Sequence, residues 1–227
     1  MIRAVLWSVL GSCLMVSVAP AQSSVTIAVL PFEDRGSYGQ DKEVFRALEV
    51  GIPAMLGAEL GKHPRVRVAE RGRVEAALKA ENLVPNARVD AATAARVGTE
   101  AGARYAVTGS FADFYGKFRI DARVVDVGSG QIVKVVSNNA PELQDRAQMS
   151  RIMQDLAAKI LSAASIPASG SSTEARSQVP AEAATQYSLG LLYEKEGDRA
   201  KAAEHYQRAL TAHPGYAEAR EGMQRLR

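Results

Sequence analysis

The residues able to do chemistry in this chain are few and scattered. His63, His205 and His213 are far apart in the sequence and show no metal-ligand spacing, so surface or helix-capping roles are predicted for them. Glu33 and Asp34 come directly after an apolar run, and we interpret them as part of a solvated loop. The sequence therefore predicts no catalytic residue, no metal site and no cofactor, in a chain that is not an enzyme.

Two glycine-containing phrases also lack the setting that their chemistry requires. "GTEAG" precedes a strand-like run, whereas the glycine-rich fingerprint of a dinucleotide site follows one. "TGS" lies within a strand-like run, so it lacks the strand-to-helix turn of a nucleophile elbow. Neither phrase predicts an active site.

The charges argue against a nucleic-acid partner. The net charge is only +3 and both signs are mixed along the chain. The densest basic stretch, "RVRVAERGR", alternates with valines as a strand does and has no aromatic residues. It is typical of a solvated strand face and not of a one-sided basic patch for nucleic acid.

The first residues predict a secretory leader. Arg3 precedes an apolar stretch, Ala4 to Val18, and the small residues Ala19-Pro20-Ala21 follow. A cation, a short apolar middle and a small-residue cleavage site form the pattern of a signal peptide. The stretch is shorter than the roughly 20 residues that a membrane span requires. We therefore predict a signal peptide over residues 1–21 and a periplasmic location.

The single cysteine, Cys13, lies inside this leader in the phrase "LGSC". A bacterial lipoprotein signal ends in such a box, and lipidation of Cys13 would then be the protein's contact with a membrane. The apolar stretch ahead of it is short, and Cys13 is otherwise one more apolar residue of the leader. If cleavage follows Ala21, the mature chain has no thiol and forms no disulfide.

The rest of the chain divides into three segments. Residues 24–165 alternate strand-like and helix-like patterns, in the order strand, helix, strand, two helices, three strands and helix. This order predicts an α+β domain with one mixed sheet and helices packed on it. Residues 166–180 are rich in Ser, Ala and Pro and predict a flexible linker. Residues 181–227 are strongly helical.

Several local features of the first domain are specific enough to compare with a structure. Pro53, two residues after Gly51, predicts a kink or restart in the first helix. Asp90 is predicted to cap a helix by accepting from its first free amides. Glycines in "YGK" and "GSG" predict two short hairpin connections. The last helix is predicted over Glu142 to Ala164.

Four phrases, in this order of elements, resemble the CsgG-type family and the related amino-terminal domain of TolB. They are "IAVLPFED", "VRVAERGRVEAAL", "VDAATAARVGTEAGARYAVTGSF" and "ARVVDVGSGQIV", and the resemblance covers roughly Val25 to Ser165. It implies the α+β fold and a place in the bacterial envelope.

The chain departs from the curli secretion channel, the best-known member of that family. Each channel subunit contributes two long hairpins to a membrane pore. Here only "ADFYGKFRID" separates Phe111 from Ala122, and "NNAPELQD" leads directly from the last strand into a helix. Membrane strands take about 9 to 11 residues each, so neither hairpin has room. The resemblance therefore implies a scaffold domain without the pore.

The last segment resembles one tetratricopeptide repeat of 34 residues. Its pattern comprises a leucine-glycine pair, small and aromatic positions and a closing proline: Leu189, Gly190, Tyr193, Gly197, Ala202, Tyr206, Ala209 and Pro214. Only the first aromatic position departs, being Gln186. The resemblance implies a partner-binding repeat. Because a repeat buries its faces against neighbours, its free side has to dock on the first domain, on another copy or on a partner.

The sequence thus predicts a non-enzymatic envelope scaffold or adaptor. It would assemble through its α+β domain, with a homo-oligomer as one form of assembly, and bind an envelope protein through the repeat. The alternative is a component of a CsgG-like secretion assembly at the outer membrane.

Overall fold

The computed structural model describes residues 24–81, 88–138, 143–167 and 178–227. The strands in this part are β1 Val25–Asp34, β2 Val66–Val68, β3 Tyr105–Phe114, β4 Lys117–Asp126, β5 Gln131–Ser137 and β6 Gln144–Asp145. The helices are α1 Lys42–Gly61, α2 Arg71–Ala80, α3 Ala91–Glu100, α4 Met149–Ala163, α5 Ala181–Glu196, α6 Arg199–Ala212 and α7 Ala217–Arg225.

The strands form one mixed sheet in the order β2-β1-β3-β4-β5. β1 runs parallel to both of its neighbours, whereas β3, β4 and β5 form an antiparallel meander. β6 pairs with the first residues of β4, on the side where β5 pairs farther along. The α+β class predicted from the sequence, with a carboxyl-terminal helical hairpin, is confirmed.

The first strand is buried on both faces because helices cover the sheet on each side. Ile27 belongs to a core that includes residues of α1 and α4, while Ala28 and Leu30 belong to a smaller core with α2 and α3. This explains why β1 is a continuous apolar run without alternation. β5 contributes no residue to this smaller core, and most of its side chains are exposed, so this end of the sheet is thinly covered.

Two of the predicted local signals are present as expected. Asp90 caps α3, its Oδ1 atom accepting from the main-chain N–H of Thr93 at 2.7 Å. β3 and β4 are joined by the two residues Tyr115 and Gly116, both with positive φ (54° and 89°). Positive φ at both central residues is the requirement of a type I′ turn, whose twist matches that of the two strands of a hairpin.

Two of the predicted boundaries are wrong. The helix α1 does not restart at Pro53 but continues to Gly61, with its buried face packed against the sheet. The last helix of the first domain begins at Met149 and not at Glu142, which lies outside the described residues. The residues ahead of α4 instead form β6 and a short 3₁₀ turn that Asp145 caps through the main-chain N–H of Ala147 at 2.8 Å.

A single side chain fills the gap between β5 and β6 along β4. The buried Asn138 donates from Nδ2 to the carbonyl of Phe118 at 3.0 Å, and its Oδ1 accepts from the N–H of Ile120 at 2.9 Å. Its amide thus pairs with the main chain of β4 as a further strand residue would.

We expect Asn138→Ala to lower the free energy of unfolding by about 2 to 4 kcal/mol, since two buried main-chain groups lose their partners. Urea unfolding monitored by circular dichroism measures the change. Asn138→Asp loses the donor to Phe118 and sets a buried carboxylate against its carbonyl oxygen, so at neutral pH it should lose at least as much stability as Asn138→Ala. A loss below about 1 kcal/mol in either variant would contradict this account.

Candidate functional site

The repeat is closed by a two-residue connection between α5 and α6. Gly197 has a φ of 83°, a left-handed conformation that glycine adopts without strain. Asp198 then caps α6, its Oδ1 accepting from the N–H of Lys201 at 3.1 Å. The glycine and the acid therefore set the antiparallel arrangement of the two helices.

Tyr206 is the centre of the repeat. Its side chain is fully buried, and its ring is pressed between two glycines. A Cβ atom at Gly190 would lie 2.5 Å from the ring, and one at Gly222 would lie 2.6 Å from it. Only glycine fits at these positions, so α5 and α7 approach the ring from two sides. The hydroxyl group of Tyr206 donates to Glu194.

Two further tyrosines extend this interior. The ring of Tyr187 lies 6.0 Å from that of Tyr206 and 5.1 Å from that of Tyr216, between ring centroids. Burial raises the pKa of Tyr187 to about 12. Burial is also the main cause of the raised pKa of Tyr206, and its hydrogen bond to Glu194 raises that pKa further. All three phenols therefore stay neutral at physiological pH, as an apolar interior requires.

The free side of the repeat docks on the first domain, through contact between α5 and α1. Gly51 lies directly against Ser188, and a Cβ atom at Gly51 would be 2.0 Å from the Ser188 hydroxyl oxygen. Ser188 is fully buried and donates to the carbonyl of Ala184 at 2.8 Å. The sequence predicted docking on the first domain, on another copy or on a partner. In the structure the repeat docks on the chain's own first domain.

Apolar and ionic contacts surround this close approach. Ala47 and Val50 of α1 pack against Leu189 and Leu192 of α5, in a small apolar cluster. At the rim, Arg46 pairs with Glu196, and the Tyr193 hydroxyl donates to Glu43. The main hydrophobic core is also continuous between the two parts of the chain, since it contains residues of α1, α4, α5, α6 and α7.

Glu194, in the last turn of α5, connects three other helices. Its carboxylate lies 3.2 Å from Arg71 of α2 and 2.9 Å from Arg225 of α7, and it accepts from Tyr206 of α6. Burial alone would raise the pKa of Glu194, but the hydrogen bonds from Arg225 and Tyr206 outweigh it and lower the pKa. The carboxylate therefore remains charged in the folded protein.

We expect Glu194 to make the stability of the docked repeat depend on pH. Because its folded pKa is below the ordinary value of 4.5, Glu194 stabilises the protein above that pH, and this contribution is lost as the pH falls through the folded pKa. Glu194→Gln should therefore have a lower unfolding midpoint than the wild type at neutral pH, and the difference should shrink in acid. Glu204→Gln, on the exposed side of α6, is the matched control and should leave the midpoint unchanged at both pH values.

The structure places most of the predicted repeat residues inside the molecule. Leu189, Gly190, Ala202, Tyr206 and Ala209 are buried. Tyr193 is partly buried at the rim, and Gly197 and Pro214 are exposed at the two connections. These residues build the repeat, and the buried ones among them face its interior and α1. Cys13 lies outside the described residues.

The histidines each have an intramolecular partner. His63 is buried; its Nδ1 accepts from the N–H of Arg65 at 3.2 Å, and its Nε2 donates to the carbonyl of Pro167 at 3.0 Å. The ring of His205 stacks on Tyr193, with centroids 5.3 Å apart. His213 lies edge-on to Tyr216. Within the described residues, His, Cys, Asp and Glu side chains form no group of three that would hold a metal ion.

A half-open cavity of about 520 Å³ lies between the ends of α1 and α4. His63 lines it beside Glu59 and Lys62, which pair with each other at 2.6 Å, and the opposite wall is largely apolar. Since the ring nitrogens of His63 are both occupied by main-chain groups, this cavity offers no free imidazole ligand.

Comparison with protein families agrees with both resemblances seen in the sequence. Residues 11–119 match the family model described as curli production assembly/transport component CsgG, and residues 183–226 match a tetratricopeptide repeat model. The prediction of a CsgG-like domain followed by one repeat is therefore confirmed. No match was found among curated proteins. None of the described helices is both long and apolar enough to span a bilayer.

Solved structures give only distant likenesses. LpoB from E. coli matches with a TM-score of 0.41 and 14% identity, over 51% of this chain and 55% of LpoB, so the chain spans about half the length of that protein. TolB from Acinetobacter baumannii matches with a TM-score of 0.35 and 18% identity, over 61% of this chain and 28% of TolB. The PelC dodecamer from Paraburkholderia phytofirmans matches with a TM-score of 0.35 and 18% identity, over 63% of this chain and 88% of the PelC chain. We base no argument on similarities this low.

Proposed function

We propose that this chain, a CsgG-like domain with a tetratricopeptide repeat docked on it, is a non-enzymatic adaptor of the bacterial cell envelope. The α+β domain assembles, and the repeat presents a surface that holds a protein partner. A periplasmic location belongs to the same proposal, which draws on the leader predicted from the sequence and on the CsgG family match. A lipid anchor at Cys13 would add a membrane attachment to this role.

The observation that carries the proposal is the fixed orientation of the repeat. Because α5 is buried against α1, the repeat is held in one place by the apolar cluster and by the ion pairs around it. The outer side of α6 remains exposed and carries the side chains Lys201, Glu204, Gln207, Arg208 and Thr211. A partner that binds this polar surface would be held at a defined position relative to the sheet.

Exchanging the two charges of one surface ion pair tests this function. Glu204 and Arg208 pair along the exposed side of α6, so the double variant Glu204→Lys, Arg208→Glu keeps the pair and the helix while changing the surface. We expect it to lose a partner that the wild type captures from envelope extract. The matched control exchanges Glu81 and Arg96, an ion pair of the first domain, and should capture normally.

Loss of capture with the control variant and retention with the α6 variant would place the partner on the first domain and contradict the proposal. Circular dichroism of both variants confirms that the exchanges leave the fold intact.

A secretion component is the second candidate, favoured by the description of the matching family. The two candidates differ in what the chain does in a lipid bilayer. An adaptor gives no conductance, and the two-residue turn between β3 and β4 leaves no room there for a long pore hairpin. Steady single-channel currents from the reconstituted protein would support the second candidate and contradict the first.

A further inference from the structure

Three arginine side chains lie together beside the amino-terminal end of α3. Arg123 lies on β4, and its Nη2 atom donates to the carbonyl of Val89 at 3.5 Å, two residues ahead of that helix. Arg88 directly precedes Val89, and Arg35 directly follows β1. Arg123 is half-buried, whereas Arg35 and Arg88 are exposed, so a ligand in solution can reach the group.

The positive charges of this arginine cluster, Arg35, Arg88 and Arg123, are not neutralised by ion pairs. Burial lowers the pKa of Arg123, and the charges of Arg88 and Arg35 lower it further because the three cations lie near one another. Among the residues that the structure describes, none of the three guanidinium groups forms an ion pair with a carboxylate. By contrast, Arg96 of α3 pairs with Glu81 at 2.6 Å.

Two acids lie nearby, but their carboxylates are engaged with the main chain. Glu33 Oε1 accepts from the N–H of Val89 at 3.1 Å, and Asp90 Oδ1 accepts from the N–H of Thr93 at 2.7 Å. Both acids attract Arg123 from a distance without pairing with it. Together with the arginine cluster they leave a net charge of +1, so an anion is still attracted to this surface.

A buried hydroxyl group beside Arg123 has no hydrogen-bond partner. Thr108 is 1% exposed, and its Oγ1 atom is unpaired among the described residues. Thr108 stands directly opposite Arg123 on the neighbouring strand, so the two side chains lie on the same face of the sheet. Since a buried polar group without a partner is unfavourable, an acceptor atom bound between Arg123 and Thr108 would be stabilising.

We propose that the arginine cluster binds an oxyanion, a phosphate or carboxylate group of a ligand, with Arg123 at its centre. The planar guanidinium group donates two parallel hydrogen bonds to the oxygens of such groups. The one hydrogen bond that Arg123 makes among the described residues, to Val89, is long at 3.5 Å, so most of its N–H donors are available. Thr108 would donate to the same anion, and Arg35 and Arg88 would attract it from the exposed rim.

This site would give the first domain a ligand of its own, separate from the partner surface on α6. It requires no assembly and no repeat, since every residue of the arginine cluster belongs to the first domain. The site and the adaptor function can therefore fail independently of each other.

Titration of the protein with sodium phosphate, followed by NMR of the main-chain amides of β3 and β4, tests the site. At constant ionic strength we expect a saturable shift with a dissociation constant of about a millimolar, since the site is partly open to water. Arg123→Gln should raise this constant at least about tenfold, because the central charge and its bidentate bonds are lost. Arg151→Gln is the matched control: it removes the same charge from an exposed position on α4 and should bind normally. A shift that does not saturate, or equal binding by Arg123→Gln, would overturn the proposal.

A second variant decides the question if Arg123→Gln does not fold. The double variant Arg35→Gln, Arg88→Gln changes exposed side chains only, so the fold should be kept. It should weaken phosphate binding severalfold, and unchanged binding would refute the role of the cluster.

Succinate, compared with phosphate at equal ionic strength, separates the two classes of ligand. Tighter binding of phosphate would support the site and indicate a ligand that carries phosphate groups. Tighter binding of succinate would support the site and indicate a ligand that carries carboxylates. If neither anion binds more tightly than chloride, the proposal is wrong.

Discussion

Tyr206→Ala should unfold the helical repeat. Replacing a large, fully buried aromatic residue by alanine costs about 3 to 5 kcal/mol. The upper end applies here because Gly190 and Gly222 supply no side chain that could move into the space. The substitution also leaves Glu194 without its phenol donor. Circular dichroism should show a large loss of helix, and limited proteolysis should cut within residues 181–227 while the wild type resists.

The first domain should also lose stability in this variant, because the core is shared. When α5 leaves, Ala47, Val50 and Gly51 of α1 become exposed. Tyr206→Phe keeps the ring and should retain the repeat, with only a modest loss from the missing hydrogen bond. A Tyr206→Ala protein as resistant to protease as Tyr206→Phe would refute the central role of this ring.

Gly51→Ala should separate the repeat from the first domain. The new Cβ atom would lie 2.0 Å from the Ser188 hydroxyl oxygen and 2.5 Å from its Cβ, so α1 and α5 would have to move apart. Overpacking a tight contact costs about 1 to 3 kcal/mol and sometimes more. This loss exceeds the roughly 1 kcal/mol that alanine gains over glycine in a helix. We expect the unfolding transition to split, with the repeat melting first.

The second half of this contact provides the control. Ser188→Gly removes both atoms that the new methyl group would meet and leaves the Ser188 Cα atom as the nearest, at 3.3 Å. The double variant should therefore recover a single transition although Ser188→Gly alone destabilises α5. Purely additive effects in this double-mutant cycle would mean that Gly51 does not act through Ser188.

Local patterns in the sequence predict the elements well. Some signals act within a few residues, so their structural consequences can be predicted without knowledge of the tertiary structure. They include the apolar run at β1, the cap at Asp90 and the glycines of the hairpins. The repeat is recognisable for the same reason, because the spacing that lets small residues face Tyr206 lies within 34 residues.

The docking contact could not be predicted in this way. Gly51 and Ser188 are ordinary helix residues until the fold brings them together, and the pairs Arg46–Glu196 and Arg71–Glu194 join residues more than a hundred positions apart. Periodicity shows that a helix has an apolar face, but not which element covers it. The same limit applies to Asn138 and β6, whose roles depend on a gap beside β4.

The exposed edge of β5 lies between these cases. "QIVKVVS" reads as a strand from its β-branched residues, and its single charge is visible in the sequence. Strand order, however, is a property of the assembled sheet, and only the structure shows that no other described strand lies beyond β5.

The short distance along the chain between α4 and α5 changes how strong the docking has to be. Since α4 already packs against the core that includes α1, the segment between Pro167 and Ala181 ties α5 close to its docking surface. A short connection along the chain gives the attached group an effective concentration of about a millimolar. The contacts between α1 and α5 therefore need not be strong enough to hold two separate molecules together. A competitor for the face of α1 would have to exceed that local concentration, which makes the attached repeat a built-in threshold for binding there.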